Sequence, residues 1–125
     1  MGLIDSLANA IATAEGFFVN GSLPQRNNNP GDLRAAPWLT NPILSNGFWT
    51  AATLGAGIAG LQHQLALDIA RGWTLKQLIY AWAPPTDNNK TDVYLSETVR
   101  RLAQQGIVVN VDVPLQNYLK IIQIP

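Results

Sequence analysis

Glu15 is the first glutamate of the chain, and it follows an alanine-rich apolar segment. Leu7, Ile11 and Glu15 lie four residues apart, so a helix would place their side chains on one face. Burial on that face would disfavour the charged carboxylate and raise the pKa of Glu15, as a general acid near neutral pH requires. The same pattern is typical of a glutamate that points into solvent at a helix end, and periodicity leaves both interpretations open.

A dense polar turn, RNNNPGDLR at residues 26–34, follows this segment. Pro30 fixes φ and Gly31 permits positive φ, so local propensity alone favours a tight turn. The asparagines and arginines together also favour a second interpretation, a rigid wall whose amides and guanidiniums hydrogen-bond a polar polymer. On that interpretation the candidate binding residues are Asn28, Asn29 and Arg34.

A second candidate segment, YAWAPPTDNNKTDVY at residues 80–94, combines aromatic and polar side chains. Trp82 and Tyr94 offer flat apolar faces of the kind that stack on sugar rings. Asn88 supplies an amide close to a predicted helix start. The alternative is that Trp82 belongs to the core and that an asparagine merely caps the helix.

The elements that would hold these residues are mostly helices. Residues 3 to about 18 carry a helical apolar stripe that ends at Phe18. Prolines and glycines exclude a long helix over residues 20–50, where residues 32–35 and 47–50 predict a small hairpin. The sequence therefore predicts an α+β domain that is mainly α-helical, with a small irregular or β-hairpin lobe after the first helix.

Four further helices are expected after this lobe. The first has Thr50 as its N-cap and runs to about Arg71, with a predicted buried stripe of Leu54, Ile58, Leu61, Leu65 and Ile69. Its glycines 55, 57 and 60 destabilise a helix and predict that another backbone packs very close. Thr74 and Gln77 predict a capping box for the next helix, and residues 89–105 predict the third. A last short helix is expected to start near Pro114.

Composition excludes several classes of protein. The 125 residues suit a single domain over residues 1–125, and we expect a monomer. Cysteine is absent and no metal-ligand spacing is evident, so neither a metal nor another cofactor is predicted. The eight basic residues are scattered and the net charge is zero, which argues against nucleic-acid binding. No apolar run is long enough to insert into a membrane, and no signal peptide is evident.

The motifs and their order resemble the lysozyme-like superfamily. A helix that ends in AEGF, the loop RNNNPGDLR, the segment GFWTAATLGAGIAGL and the segment YAWAPPTDNNKTDVYLSETVRRL are similar to small phage and bacterial domains related to lytic transglycosylases and goose-type lysozymes. The resemblance covers residues 8 to about 106. It implies a lysozyme-like fold and cleavage of the β-1,4 bond between N-acetylmuramic acid and N-acetylglucosamine in peptidoglycan.

The resemblance also implies roles for individual residues. Glu15 matches the catalytic glutamate, which in lytic transglycosylases acts as acid and then as base. Asn28, Asn29, Asp32 and Arg34 would line one wall of a cleft, with Asn88 and Tyr94 opposite. Asp32 departs from the family pattern, which usually has Asn there, and is a candidate second carboxylate for a hydrolase.

Two outcomes and one rival function stay open at the level of sequence. Glycan cleavage would be either hydrolysis or anhydro-forming transglycosylation, because the role of Asp32 decides between them. In either case we expect the protein to act at the bacterial cell wall on glycan strands, as a phage or otherwise exported protein. The rival is a non-catalytic protein of the same fold that binds glycan or serves as a structural part of a virion.

Overall fold

The computed structural model describes residues 2–122, which are mainly helical with a small antiparallel sheet. In chain order the elements are α1 (Leu3–Ala14), α2 (Leu23–Arg26), β1 (Leu44–Ser45), β2 (Phe48–Trp49), α3 (Leu54–Ala70), α4 (Leu75–Trp82), α5 (Thr91–Gln104) and α6 (Gln116–Ile122). A 3-10 turn, Pro85–Asp87, lies between α4 and α5. The predicted α+β class with mainly helical content is confirmed, and the lysozyme-like topology stays a prediction.

The chain divides into two compact units. The central unit is Ile11–Gln64, and the terminal unit combines Met1–Ala10 with Leu65–Pro125. Both boundaries fall inside helices, one within α1 and one within α3. The prediction of a single domain over residues 1–125 stays a prediction.

The sheet of the central unit is a short hairpin. β1 pairs with β2 in antiparallel register through the turn residues Asn46 and Gly47. Both turn residues have positive φ, 54° and 83°, which is the type I′ geometry that Asn-Gly favours. The sequence analysis did not anticipate this hairpin.

The predicted pairing on the other side of β2 is present. An antiparallel bridge joins Arg34 to Phe48. The expectation that residues 32–35 pair with residues 47–50 is therefore confirmed, although the pairing is one isolated bridge and not a second hairpin.

Helix α3 begins three residues later than predicted. The Oγ1 of Thr53 accepts a hydrogen bond from the N–H of Ala56 at 3.0 Å. Thr53 is therefore the residue that caps the helix, and the assignment of the cap to Thr50 is wrong. Thr50 instead donates its N–H to the carbonyl of Ile43 at 2.8 Å, because it still belongs to the extended segment after β2.

The predicted buried stripe of α3 is correct only in its second half. Its buried members are Leu61, Leu65 and Ile69. Leu54 and Ile58 are 46% and 41% exposed, so their assignment to the core is wrong. In the first turns of α3 the buried positions are Gly57 and Gly60, and packing of the loop and of an aromatic ring there leaves the larger side chains outside.

Gly57 is the position at which another backbone approaches α3. A Cβ atom on Gly57 would lie 1.6 Å from the main-chain oxygen of Asn28. At Gly60 a Cβ would lie 2.5 Å from the ring of Trp49, whereas at Gly55 it would meet only one side-chain atom at 3.9 Å. The expected close backbone approach is therefore confirmed at Gly57, is made by a side chain at Gly60, and is absent at Gly55.

The terminal unit contains the predicted capping box. Thr74 Oγ1 accepts from the N–H of Gln77 at 3.1 Å, and Gln77 Oε1 accepts from the N–H of Thr74 at 2.9 Å. Helix α4 packs against α5. The hydroxyl of Thr91, at the start of α5, donates to the carbonyl of Ala83 at 2.6 Å and so joins the two helices. The fully buried apolar side chains of this unit include Leu3, Leu7, Leu65, Leu75, Leu78, Ile79, Leu102 and Leu115.

Candidate functional site

Glu15 lies at the C-terminal end of α1, immediately after its last residue. The N–H of Gly16 donates to the carbonyl of Thr13 at 3.2 Å, and the N–H of Phe17 donates to the carbonyl of Ala12 at 3.0 Å. With φ of 79° at Gly16, these bonds form a Schellman motif in which Glu15 is the C-cap residue. The Glu15 side chain is half-buried. Its backbone is therefore fixed at the point where the chain leaves the helix.

The helix ends earlier than the sequence predicted, because Gly16 stops it. Residues 15–20 form turns instead of a further helical turn. Phe18 is 60% exposed, so its assignment to the buried stripe of α1 is wrong. Phe18 and Val19 form an exposed apolar pair three and four residues after Glu15, a feature that the helical periodicity concealed.

Asn29 is fully buried, and its side-chain amide is fully engaged with the main chain. Its Nδ2 donates to the carbonyls of Leu33 and Trp49, each at 2.9 Å. Its Oδ1 accepts from the N–H of Leu33 at 2.9 Å. The bond to Trp49 fixes the loop Asn27 to Arg34 against the strand β2, and the two bonds to Leu33 close the loop on itself. Asn29 therefore shapes the wall of the loop, and its side chain is buried away from the protein surface.

Asn28 is half-buried and shapes the loop through its backbone. Its φ is 52°, in the left-handed region that asparagine tolerates better than most residues. Its Nδ2 lies 3.4 Å from the carbonyl of Ala51, and its own carbonyl lies against Gly57. These contacts explain an asparagine at this position on structural grounds.

Asp32 is the half-buried carboxyl group of the loop. Its φ is 50°, and its N–H donates to the carbonyl of Asn29 at 3.0 Å. Burial raises the pKa of Asp32, and the nearby positive charge of Arg34 lowers it by less. The buried Oδ1 of Asp32 has no hydrogen-bond partner among the described residues. Asp32 is therefore a partly desolvated carboxyl group in a strained backbone conformation.

Arg34 is exposed and lies beside the hairpin. Its guanidinium carbon is 4.4 Å from the centre of the Phe48 ring, a cation–π contact. The planar guanidinium keeps its N–H donors at the protein surface, where a polar ligand can reach them. Of the four predicted site residues in this loop, Arg34 is the one with an exposed charged group.

Asn88 and Tyr94 lie in the terminal unit, while the other predicted site residues lie in the central unit. Asn88 is exposed, has φ of 61° and ends the 3-10 turn. Tyr94 is half-buried in the first turn of α5, and its carbonyl accepts from the hydroxyl of Thr98 at 2.8 Å. Trp82 is half-buried as the last residue of α4. The assignment of Asn88 and Tyr94 to the site stays a prediction.

Neither a metal centre nor a membrane span is evident in residues 2–122. Within this range no three His, Cys, Asp or Glu side chains are grouped so that they would hold a metal ion. None of the described helices is long and apolar enough to cross a bilayer.

Comparison with known proteins gives no assignment. No protein-family model matches the chain, and no curated protein or solved structure matches it either. The relation to lysozyme-like domains therefore depends on the motifs quoted above.

Proposed function

We propose that this protein cleaves peptidoglycan glycan strands at the β-1,4 bond between N-acetylmuramic acid and N-acetylglucosamine, with Glu15 as the general acid. The observation that carries the proposal is the position of Glu15, half-buried and held by the Schellman motif at the end of α1. The order of the motifs supports the lysozyme-like assignment, in which a glutamate after the first helix has this role.

Two physical effects at this position favour the neutral acid form of Glu15. The C-terminal end of a helix carries partial negative charge, which disfavours an adjacent carboxylate. Partial burial also disfavours the charged form because it removes water from the carboxyl group. As the general acid, Glu15 would transfer its proton to the oxygen of a glycosidic bond.

The bond-breaking step needs one proton and one new bond at the anomeric carbon. Glu15 protonates the glycosidic oxygen, the bond from that oxygen to C1 breaks, and the departing sugar leaves with a free hydroxyl group. In transglycosylation, the 6-hydroxyl oxygen of the muramic residue then bonds to C1 and returns its proton to Glu15. In hydrolysis, water bonds to C1 and a carboxylate accepts its proton.

Asp32 is the candidate proton acceptor for hydrolysis. Its raised pKa makes its ionised form a better base than an ordinary aspartate. Asn29 serves this site as a positioning residue, because its three hydrogen bonds hold the loop that carries Asp32 and Arg34. Arg34 is the loop residue that supplies exposed donors to the hydroxyl and amide groups of the glycan.

The chain contains a matched control for Glu15, because its other glutamate is Glu97. Glu97 lies in α5, where a hydrogen bond from Arg100 lowers its pKa and keeps it ionised. We expect Glu15→Gln to clear suspensions of purified peptidoglycan about 10²–10⁴-fold more slowly than the unsubstituted protein. Glu97→Gln should clear them at the normal rate.

The same samples distinguish the enzyme from a glycan-binding protein. Cosedimentation with sacculi, combined with release of soluble fragments, would support the proposal. Cosedimentation without fragments would instead indicate the non-catalytic alternative. Equal clearing by Glu15→Gln and the unsubstituted protein, at equal thermal stability, would reject Glu15 as the acid.

A further inference from the structure

The turn that follows Glu15 exposes one flat aromatic ring, and the exposed apolar area there is smaller than that of a protein-binding surface. Phe18 is 60% exposed and Val19 is 63% exposed. Exposure of apolar side chains to water is unfavourable, so a fixed pair beside a candidate catalytic residue requires an explanation.

Hydrogen bonds fix the backbone of this turn. The N–H of Val19 donates to the carbonyl of Gly16 at 3.0 Å, and the N–H of Ser22 donates to the carbonyl of Val19 at 3.1 Å. Gln25 Oε1 accepts from the N–H of Gly21 at 2.7 Å. The pair is therefore held in place and does not belong to a frayed helix end.

Phe17 supports the ring of Phe18 from one side. The two ring centres lie 5.3 Å apart, with the ring planes at 77°. Phe17 is itself half-buried, so it links the exposed ring to the interior of the central unit. An edge-to-face contact of this kind orients Phe18.

We infer that Phe18 is a sugar-stacking residue, which binds the apolar face of one pyranose ring in the glycan strand next to the bond that Glu15 cleaves. This inference depends on the proposed function and extends it. One ring and one isopropyl group match the area of a single sugar. A stable protein partner would need about 800 Å² on each side. The exposed amide of Asn20 in the same turn supplies a polar group for the hydroxyls at the rim of that sugar.

The position of the Phe18 ring near Glu15 is the reason that a sugar of the glycan strand is inferred as its ligand. Phe18 lies three residues after Glu15, and the Schellman motif at Gly16 fixes the backbone between them. A sugar on this ring would lie within one or two glycan units of the acid. Stacking there would fix the register of the strand, which determines the bond that receives the proton.

The test measures binding of a peptide-free tetrasaccharide of alternating N-acetylglucosamine and N-acetylmuramic acid. All samples carry Glu15→Gln to prevent turnover, and binding is measured by calorimetry and by NMR shifts. We expect Phe18→Ala to weaken binding about five- to tenfold and Phe18→Trp to preserve it. Phe18→Leu should weaken binding nearly as much as alanine, since leucine is apolar but has no flat face.

The control is Ile43→Ala, which shortens a side chain that is 73% exposed in the same unit. We expect it to leave tetrasaccharide binding unchanged. Equal binding by all Phe18 variants would overturn the inference. A loss of vesicle cosedimentation by Phe18→Ala, with unaltered tetrasaccharide affinity, would also overturn it and indicate a lipid contact.

Release of fragments from peptidoglycan distinguishes failure of the stacking role of Phe18 from failure of the proposed function. If the unsubstituted protein releases fragments from peptidoglycan but the Phe18 variants bind the tetrasaccharide equally, the stacking role fails and the proposed function stands. If the unsubstituted protein releases no fragments and the Glu15→Gln protein binds no tetrasaccharide, the proposed function fails as well.

Discussion

Replacement of Gly57 with alanine tests whether the loop that carries Asp32 and Arg34 is fixed by its contact with α3. The new Cβ would lie 1.6 Å from the main-chain oxygen of Asn28 and 3.2 Å from Cδ of Pro30. Because non-bonded carbon and oxygen atoms approach to about 3.3 Å, the loop would have to retreat by roughly 1.5–2 Å. A hydrogen bond of ordinary length does not survive such a displacement.

The hydrogen bonds of Asn29 help to determine how far Gly57→Ala should lower the free energy of unfolding. One of its three bonds joins the loop to Trp49 of β2, and the other two, with Leu33, lie within the loop; each is 2.9 Å long and contributes about 1 kcal/mol. Overpacking adds about 1–3 kcal/mol. The gain in helix propensity on replacing glycine with alanine offsets about 1 kcal/mol. If the bond to Trp49 is lost, the free energy of unfolding falls by about 1–3 kcal/mol.

Gly55→Ala is the matched control, two residues earlier in the same helix. Its Cβ would meet only Thr53 Oγ1, at 3.9 Å, so we expect stability to be unchanged or to rise by up to about 1 kcal/mol. Urea unfolding followed by circular dichroism measures both variants, and the side-chain amide signals of Asn29 report on the loop. Equal stability of the two variants, with unchanged Asn29 signals in Gly57→Ala, would refute the role of this contact.

Three further substitutions test single interactions. Asn29→Ala removes the hydrogen-bond partner of three main-chain groups, so the free energy of unfolding measured in urea should fall by about 2–4 kcal/mol. A decrease below about 1 kcal/mol would contradict the role of this side chain. Burial raises the pKa of Asp32 above 3.8, so the folded state binds the proton more tightly than the unfolded state. The contribution of Asp32 to stability therefore falls as pH rises from 3.8 through the pKa of the folded state. Asp32→Asn should therefore raise the melting temperature near neutral pH and change it little below pH 3.8, and a lower melting temperature at neutral pH would contradict this sign. Thr74→Ala should lower the free energy of unfolding by about 1 kcal/mol and speed amide exchange in α4, whereas Thr74→Ser should retain the cap. Equal amide exchange in the two variants would contradict the capping role of Thr74.

Features that depend on neighbouring residues could be predicted from the sequence. The capping box of α4 requires only Thr74 and Gln77, and the structure forms it as expected. The β1–β2 hairpin also has a local signal, Asn46-Gly47 between Leu44-Ser45 and Phe48-Trp49, but it is not among the predicted elements. Gly16 is also a local stop signal for α1, although the predicted apolar stripe extends beyond it to Phe18.

Features that depend on tertiary contacts could not be predicted from the sequence. The periodicity of α3 assigned Leu54 and Ile58 to the core, but the loop occupies the helix face at Gly57 and leaves both side chains exposed. Only the fold reveals which face a loop covers. The glycines gave a partial signal, because they predicted a close approach and Gly57 makes one.

The asparagines of the candidate site show why a polar loop is difficult to interpret from sequence. Asn28, Asp32 and Asn88 all have positive φ, a conformation that Asn and Asp adopt more readily than most residues. Their residue types therefore have a backbone explanation. Asn29 has negative φ but is used entirely for internal hydrogen bonds. Sequence could indicate a rigid loop, but not which side chains face a ligand.

The most direct test of Glu15 as a peptidoglycan-cleaving acid is mass spectrometry of the soluble products from purified peptidoglycan. The unsubstituted protein and Glu97→Gln should release the same glycan fragments, and Glu15→Gln should release almost none. Muramic ends one water lighter than hydrolysed ends would indicate transglycosylation, and full-mass reducing ends would indicate hydrolysis with Asp32 as the candidate base. Equal release of fragments by a folded Glu15→Gln protein would contradict the central claim.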